Sequence, residues 1–438
     1  MAGKKQLFSL IYILGTTLMG ISQEILTVSE AVQIALENNY DIKTARNELK
    51  IDELGVSAGQ AGMLPRVGAN LSDNRSIQNI SQTRSNGTFL EEDNVRNKNF
   101  NYGVALEWTV FDGLRMFANH QQLKETQKLG ETELKQAILT SVGEVLITYY
   151  DLVQQHQQLE ALDSTLIISR QRVELAQNRF TIGKASKLEV LNAQVDLNTD
   201  LTLMQRQQEL HKNTKILLNQ QLARDIKLDF KVIPEIFVDQ NLRLDDLEQR
   251  VAQENPLLMA EKINKRISEL ELKQVKAARF PTLFVSSGYN VGSSESGLGF
   301  ATTSESSGFS YGFGASLNLF DGFRQNRNEK IGKLALENSE IAISQQEEAL
   351  LSLVNSTYQT YLTNISLMEL ETKNEAIAKE NLDITVEKYR IGIIPTIEFR
   401  TAQLNYINAS VRHSNAKFQA KLSEIILKQL AGNLDIGQ

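Results

Sequence analysis

The stretch Phe111-Asp112-Gly113-Leu114-Arg115 recurs 209 positions later as Phe320-Asp321-Gly322-Phe323-Arg324. Each copy ends a run of alternating residues that reads as a strand, and each opens a helical pattern of more than sixty residues. A second pair keeps the same offset: Arg179-Phe180-Thr181-Ile182-Gly183 and Lys388-Tyr389-Arg390-Ile391-Gly392. Strand, sharp turn and very long helix thus occur twice in one chain, which marks an internal duplication.

Before the first turn, Tyr102, Val104, Leu106, Trp108 and Val110 share one face of a strand. Asn101, Gly103, Ala105, Glu107 and Thr109 share the other. A soluble sheet also alternates. Here, however, the second face is small or polar, as a wet lumen requires, and Trp108 lies near one end of the apolar face, where an aromatic girdle belongs. Phe309, Tyr311, Phe313, Ala315, Leu317 and Leu319 repeat the alternation before the second turn. With strands starting at Val67 and Phe284, the chain offers four strands in two hairpins, 66–111 and 282–320. The middle of the polar stretch Ser72–Asn99 reads as a solvated loop, and Gly292–Ser307 as a Gly/Ser loop.

After the first turn, Ile138, Val142, Val145, Tyr149, Leu152, His156 and Leu159 step by four and three. That spacing is a 3.5-residue repeat and implies coiled-coil packing. Leu351, Val354, Tyr358, Tyr361, Ile365 and Met368 carry the same ladder in the second half. The long helices read as 115–178 and 324–387, 64 residues each, about 96 Å at ~1.5 Å per residue. Such a length suits a structure that bridges a gap. Short interruptions at Gly183 and Gly392 then lead into second helices, 187–222 and 396–431. Glu24–Met63 and Asp245–Ala278 read as the opening helix of each half, Ser29 being a plausible first N-cap. Asn255 answers Asn39 and Pro281 answers Pro65 at an offset of 216. The second hairpin is thus the shorter one, a difference that a loop accommodates.

The domain reading is a signal peptide at 1–22, a first repeat at 23–224, a linker at 225–243 and a second repeat at 244–438. Lys4 and Lys5 precede an apolar run from Leu7 to Ile21, and Gly20 and Ser22 are small residues before a cut at Gln23. The run is short for a membrane anchor. The chain has no cysteine, so packing or assembly must stabilise it. The net charge of −7 is spread along the 438 residues, and no basic patch argues for nucleic acid. His120, His156, His211 and His413 have no metal-ligand spacing. No phosphate loop or nucleophile elbow is present, so nothing supports an enzyme.

Four tilted strands cannot close a barrel, because ~8 are needed for the smallest. Lipid does not tolerate open sheet edges. If these strands lie in a membrane, chains must combine, two giving eight strands or three giving twelve.

The chain resembles the TolC family of outer membrane efflux proteins. The resemblance spans the mature sequence and rests on Leu26-Thr27-Val28-Ser29-Glu30-Ala31 leading into Ala35-Leu36-Glu37-Asn38-Asn39, on both Phe-Asp-Gly-x-Arg turns, on both Gly-containing interruptions and on the duplication. It implies a mainly α fold with a β-barrel part. Three chains would share a twelve-stranded transmembrane barrel, and their helices would form a long coiled-coil barrel across the periplasm. Its expected partners are two further copies, outer membrane lipid, a periplasmic adaptor and, through it, an inner-membrane pump. Its expected role is a passive exit duct without cofactor, metal or catalysis. The tips Arg179, Phe180, Gly183, Tyr389, Arg390 and Gly392 would meet the adaptor. The family places two acids just after the second interruption. The first falls on Glu398, but the second falls on Thr401, a departure that weakens any cation site. Glu189, at the matching place in repeat one, completes an expected ring of negative charge with Glu398. Both acids also suit ordinary helix first turns. Phe111, Asp112, Gly113, Arg115, Phe320, Asp321, Gly322 and Arg324 form the strand-to-helix turns, and Tyr102 and Trp108 the membrane girdle. A soluble periplasmic or cell-surface coiled-coil protein is the alternative. It leaves the small, polar strand faces unexplained.

Overall fold

The structure, a computed structural model, describes residues 24–298 and 301–434. The expected signal peptide lies outside them. The elements in order are β1 (Glu24–Leu26), α1 (Val28–Asn38), α2 (Tyr40–Gly55), β2 (Arg66–Thr83), β3 (Phe89–Phe111), α3 (Arg115–Thr181), α4 (Lys187–Gln221) and β4 (Phe230–Val232). They continue with α5 (Leu244–Glu254), α6 (Pro256–Ala277), β5 (Thr282–Ser296), β6 (Thr303–Ser316), α7 (Arg324–Arg390) and α8 (Thr396–Leu430). The chain forms two compact units.

The first unit holds residues up to Arg46, Glu133–Met259 and the chain from Gln346 onward. Its core joins Leu26, Ala31, Val32 and Ala35 to Val142, Val145, Tyr149 and Leu152, and to Leu218, Leu222, Phe230 and Ile425. The first ladder thus turns its Val142-to-Leu152 face inward. Val354 and Tyr361 of the second ladder are likewise buried. Farther along, Leu162, Leu166, Met204 and Ile407 form one smaller cluster and Ala176, Val190 and Ala193 another.

Residues 24–63 do not form the single helix that their apolar spacing suggests. Glu24–Leu26 pairs in parallel with Phe230–Val232. The N-cap is Thr27, not Ser29: its hydroxyl accepts from the Glu30 backbone N–H, while the Glu30 carboxylate accepts from that of Thr27. This reciprocal box starts α1. Asn39 then leaves helical geometry, and its side-chain oxygen accepts from the N–H groups of Asp41 and Ile42 to start α2.

The second unit, Asn47–Thr132 and Ala260–Gln345, contains a four-stranded antiparallel sheet in the order β2-β3-β5-β6. The expected Gly292–Ser307 loop is largely strand, and the loop in the middle of Ser72–Asn99 narrows to the short turn between Thr83 and Phe89. β2 runs on to Thr83 and β3 begins at Phe89, while β5 reaches Ser296 and β6 begins at Thr303. Alternation fails there because both faces are polar, yet the backbone ladder needs no apolar face to form. β6 in turn ends at Ser316, before Leu317 and Leu319.

Candidate functional site: the sheet, its turns and the helical tips

The register sorts the sheet residues into two faces. Directly paired residues stand on the same side of a sheet. One face carries the rows Val67/Leu106/Ser287/Tyr311, Ala69/Val104/Tyr289/Phe309 and Leu71/Tyr102/Val291/Ser307, with Trp108/Val285/Phe313 nearer the helix end. The other carries Gly68/Ala105/Gly288/Ser310 and Asn70/Gly103/Asn290/Gly308. The apolar face is open to the surroundings, with Tyr311 at 83% exposure and Phe313 at 91%. Tyr102 and Trp108 stand on this face six residues apart on β3, or ~20 Å, with Phe100 beyond Tyr102 and Val110 beyond Trp108. The Trp108 indole N–H donates to the Met63 carbonyl at 2.9 Å, which fixes the ring. Among the described residues, β2 and β6 each keep one unpaired edge.

The two strand-to-helix turns share a backbone solution. Gly113 and Leu114 have φ of 75° and 70°, and Gly322 and Phe323 have 67° and 62°. Glycine relieves the first of these left-handed positions. The Asp112 carboxylate accepts from the Met116 N–H at 3.0 Å, and that of Asp321 from the Gln325 N–H at 2.9 Å. Each aspartate thus satisfies a free donor of the helix it precedes, and its charge suits the helix N-terminus. Arg115 and Arg324 open α3 and α7, and Arg324 lies 3.9 Å from Asp321. Phe111 is half-buried, whereas its counterpart Phe320 is exposed.

At the tips, Gly183 and Gly392 have φ of 72° and 81°. The Lys184 N–H reaches back to the Arg179 carbonyl at 2.8 Å, and the Ile393 N–H to the Lys388 carbonyl at 3.0 Å. These bonds close the helices as glycine-dependent Schellman turns. Arg179, Phe180, Tyr389 and Arg390 therefore belong to the last helical turns rather than to the interruptions. Phe180 and Arg390 are exposed, and Arg390 pairs with Glu387 on its own helix at 2.9 Å.

The two expected gate acids differ in their surroundings. Glu189 is half-buried, lies 3.6 Å from the Arg179 guanidinium and accepts from the Tyr389 hydroxyl at 3.2 Å. It joins the two hairpins of one chain. Glu398 is exposed on the first turn of α8 and has no ion-pair partner among the described residues. Behind Glu189 the Tyr389 and Phe399 rings stack at 4.8 Å, and the Arg172 guanidinium covers Phe399 at 5.6 Å.

Deeper in the bundle lies a charged cluster that sequence reading missed. Asp200 has no exposed surface. Arg400 donates from both terminal nitrogens to its two carboxylate oxygens at 2.9 Å. Ser169 donates to Asp200 at 2.6 Å, and Gln403 donates to Ser169 at 2.7 Å. Asp196 takes a 2.6 Å hydrogen bond from Arg172 and lies 3.5 Å from Arg400. A signal was present. Ala193, Leu197, Asp200 and Met204 step by four and three, as do Arg400, Gln403, Ile407, Ser410 and Ser414. Asp200 thus interrupts an apolar seam, while Arg400 shares its seam with Gln403, Ser410 and Ser414.

His156 and His211 face each other at 6.2 Å between ring centres. Burial, then the Lys215 charge, pushes His211 down to about 4. His413 meets Glu375, holding that carboxyl below its usual range. No group of three potential metal ligands occurs among the described residues, and no described helix is long and apolar enough to cross a membrane.

Comparison with known proteins agrees with this geometry. A family model described as "Outer membrane efflux protein" matches residues 31–221 and 247–433. The chain is 25% identical to Protein CyaE of Bordetella pertussis over 420 residues, 93% of this chain and 84% of that protein. It is 18% identical to the outer membrane efflux protein BepC of Brucella suis over 447 residues, covering all of this chain and 92% of that one. The crystal structure of the Campylobacter jejuni CmeC outer membrane channel superposes with a TM-score of 0.77 at 16% identity, covering 92% of this chain and 85% of that one.

Proposed function

Because the chain belongs to the outer membrane efflux protein family, we propose that three copies join the open edges of their sheets into one twelve-stranded barrel. The protein is an outer-membrane exit duct for efflux or type I secretion, a transport conduit rather than an enzyme by family. The observation that carries the trimer reading is the sheet itself. Its apolar face is exposed, its opposite face is mostly small and polar, and both its edges lack partners among the described residues. Lipid accepts the first face, water the second, and neither accepts free edges inside a bilayer. A soluble coiled-coil protein would leave Tyr311 and Phe313 in water for no return.

The finer reading follows from the same arrangement. Tyr102 and Trp108 anchor the barrel at its two lipid interfaces. The Phe-Asp-Gly-x-Arg turns pass the chain from barrel to helices. The helices continue as a periplasmic tunnel, and the Gly183 and Gly392 tips meet an adaptor that links the duct to an inner-membrane pump. Arg179, Phe180 and Arg390 supply the contact surface, while Tyr389, expected among them, is buried against Phe399 and braces the tip from behind. Glu189 holds the hairpins together near the entrance, and Glu398 adds a free negative charge there. The duct performs no catalysis of its own.

The testing experiment is fractionation of the expressed chain followed by bilayer recording. Heat-modifiable trimers in the outer membrane that give a small, cation-selective conductance support the reading. A soluble protein that forms no trimer overturns it.

A further inference from the structure

We propose that the second repeat keeps an empty strand seat beside Gln240–Leu242, and that an extended, apolar-x-apolar segment of a separate polypeptide fills it as an added parallel strand. The proposal goes beyond the duct reading and needs only the first unit of the chain. The first repeat shows the seat filled. There β4 lies parallel to β1, with Glu24, Ile25 and Leu26 opposite Phe230, Lys231 and Val232. Leu26 and Phe230 have no exposed surface. The Tyr149 hydroxyl serves both segments, donating to the Leu26 carbonyl at 2.9 Å and accepting from the Ile233 N–H at 3.2 Å.

The duplication places the same scaffold in the second repeat. Leu242 stands 216 positions after Leu26, the offset that relates Asn255 to Asn39. Tyr358 stands 209 positions after Tyr149, and its hydroxyl donates to the Leu242 carbonyl at 3.2 Å. α8 ends as α4 does, on a left-handed residue: Gly432, with φ of 75°, answers Ala223, with 49°. The Asn433 N–H then reaches back to the Lys428 carbonyl at 3.2 Å, as that of Arg224 does to Asn219 at 3.1 Å. The strand itself has no counterpart among the described residues. Within the same set, the Gln240 carbonyl and the Leu242 N–H have no hydrogen-bond partner, and the Tyr358 hydroxyl accepts from no donor. Leu242 and Tyr358 are only half-buried, whereas Leu26 and Tyr149 are buried fully. A cleft of about 590 Å³ opens here, and Asn241, Leu242, Leu247 and Ala431 are among the residues that line it.

Unpaired strand groups are a template for another strand, and main-chain bonding to such an edge is a general mode of peptide capture. Leu242 and Leu247 hold the places of Leu26 and Ala31, which share a core with Phe230. Ala431 holds the place of the larger Leu222 and leaves room for a bulky apolar side chain. A strand with apolar residues two apart puts both on that one face. The charges that line the cleft balance. Asp239 lies 3.6 Å from Lys428, and Arg243 and Arg250 are matched in number by Asp246 and Glu254. Backbone and apolar side chains, rather than net charge, therefore select the strand, and binding should respond little to salt.

The probe is a synthetic peptide copying Leu228–Ile236, added to the purified protein in detergent. Before addition, the amides of Gln240–Leu242 should exchange freely with solvent, unlike those of β1. The peptide should bind saturably, one per chain, and protect them. Its ester analogue, in which oxygen replaces the Ile233 N–H, should bind about fivefold more weakly or worse, because the Tyr358 hydroxyl then gains no donor. Tyr358→Phe should weaken the amide peptide by a similar factor and abolish its advantage over the ester. The ester comparison needs no altered protein, so a poorly folding Tyr358→Phe leaves the test decisive. Equal binding of amide and ester, or no saturable binding of the amide peptide, would overturn the proposal. So would slow exchange at Leu242 before any peptide is added, because the seat would then be filled by a neighbouring copy or by residues that follow Leu434. None of these readouts depends on conductance or oligomeric state, which test the duct reading separately.

Discussion

Asn255 does in the second repeat what Asn39 does in the first. The Asn39 side-chain amide donates to the Gln221 carbonyl at 2.9 Å, at the end of α4, while its oxygen caps α2. The Asn255 amide donates to the Leu430 carbonyl at 2.9 Å, at the end of α8, while its oxygen accepts from the Leu258 N–H at 3.2 Å. One side chain thus starts one helix and satisfies the end of another, twice. Alanine at either position should cost about 1–2 kcal/mol from the lost cap and buried hydrogen bond. The two sites share no partner, so their effects should add. Thermal unfolding of the single and double variants checks both statements.

Tyr149 holds the small parallel sheet to the helices. Its hydroxyl donates to the Leu26 carbonyl at 2.9 Å and accepts from the Ile233 N–H at 3.2 Å. Burial raises its pKa above the usual phenol value. Tyr149→Phe leaves both backbone groups short of a partner and should cost about 1–3 kcal/mol. Denaturant unfolding should show a lower midpoint with an unchanged slope.

The duplicated turns should not tolerate the same substitution equally. A Cβ on Gly113 would stand 2.4 Å from the Ala277 carbonyl oxygen, whereas one on Gly322 meets nothing within 4 Å. Gly322→Ala should therefore cost only the left-handed backbone strain, about 1–2 kcal/mol. Gly113→Ala adds a collision with backbone that cannot step aside, and its yield of folded protein should be markedly lower. Comparing heat-modifiable protein in outer-membrane fractions separates the two.

His211 should make the helical unit acid-sensitive. Its folded value of about 4 lies below the unfolded 6.5. The unfolded chain therefore binds the proton first, and stability falls as pH drops from 6.5 towards 4. Lys215 and His156 disfavour the added charge, and Asp229 opposes them. His211 is half-buried, so solvent screening limits the loss to about 1 kcal/mol. Melting curves at pH 7 and pH 5 should converge in His211→Asn; an equal pH response in that variant would remove His211 as the cause.

Glu398 should report on ion passage. It is exposed and unpaired among the described residues, while Glu189 is engaged. Glu398→Gln should lower cation preference in single-channel reversal potentials, whereas the effect of Glu189→Gln should fall chiefly on the open fraction. Unchanged selectivity in Glu398→Gln would assign it to the helix first turn alone.

Much of this fold was legible in the chain because its signals are local. Alternation at Tyr102–Val110, the four–three ladder at Val142–Leu152 and the glycine turns each depend on nearest neighbours along the backbone. The gaps are equally physical. Ser72–Asn99 gave no strand signal because neither face is apolar, yet pairing across the hairpin orders it. Residues 24–26 looked helical until Phe230–Val232, two hundred positions away, supplied a partner strand. The Asp200–Arg400 pair stood at seam positions in two separate ladders, but no local rule says that two distant seam positions face each other.

By itself, then, the amino-acid order determined the duplication, the sheet-to-helix plan and the family, because periodicity and turn chemistry are encoded in short windows. Tertiary structure alone decided which charges meet. It paired Glu189 with Tyr389, left Glu398 without an ion-pair partner among the described residues and buried Asp200 against Arg400, because long-range contacts depend on how helices from both repeats pack, and a buried charge must find its partner there.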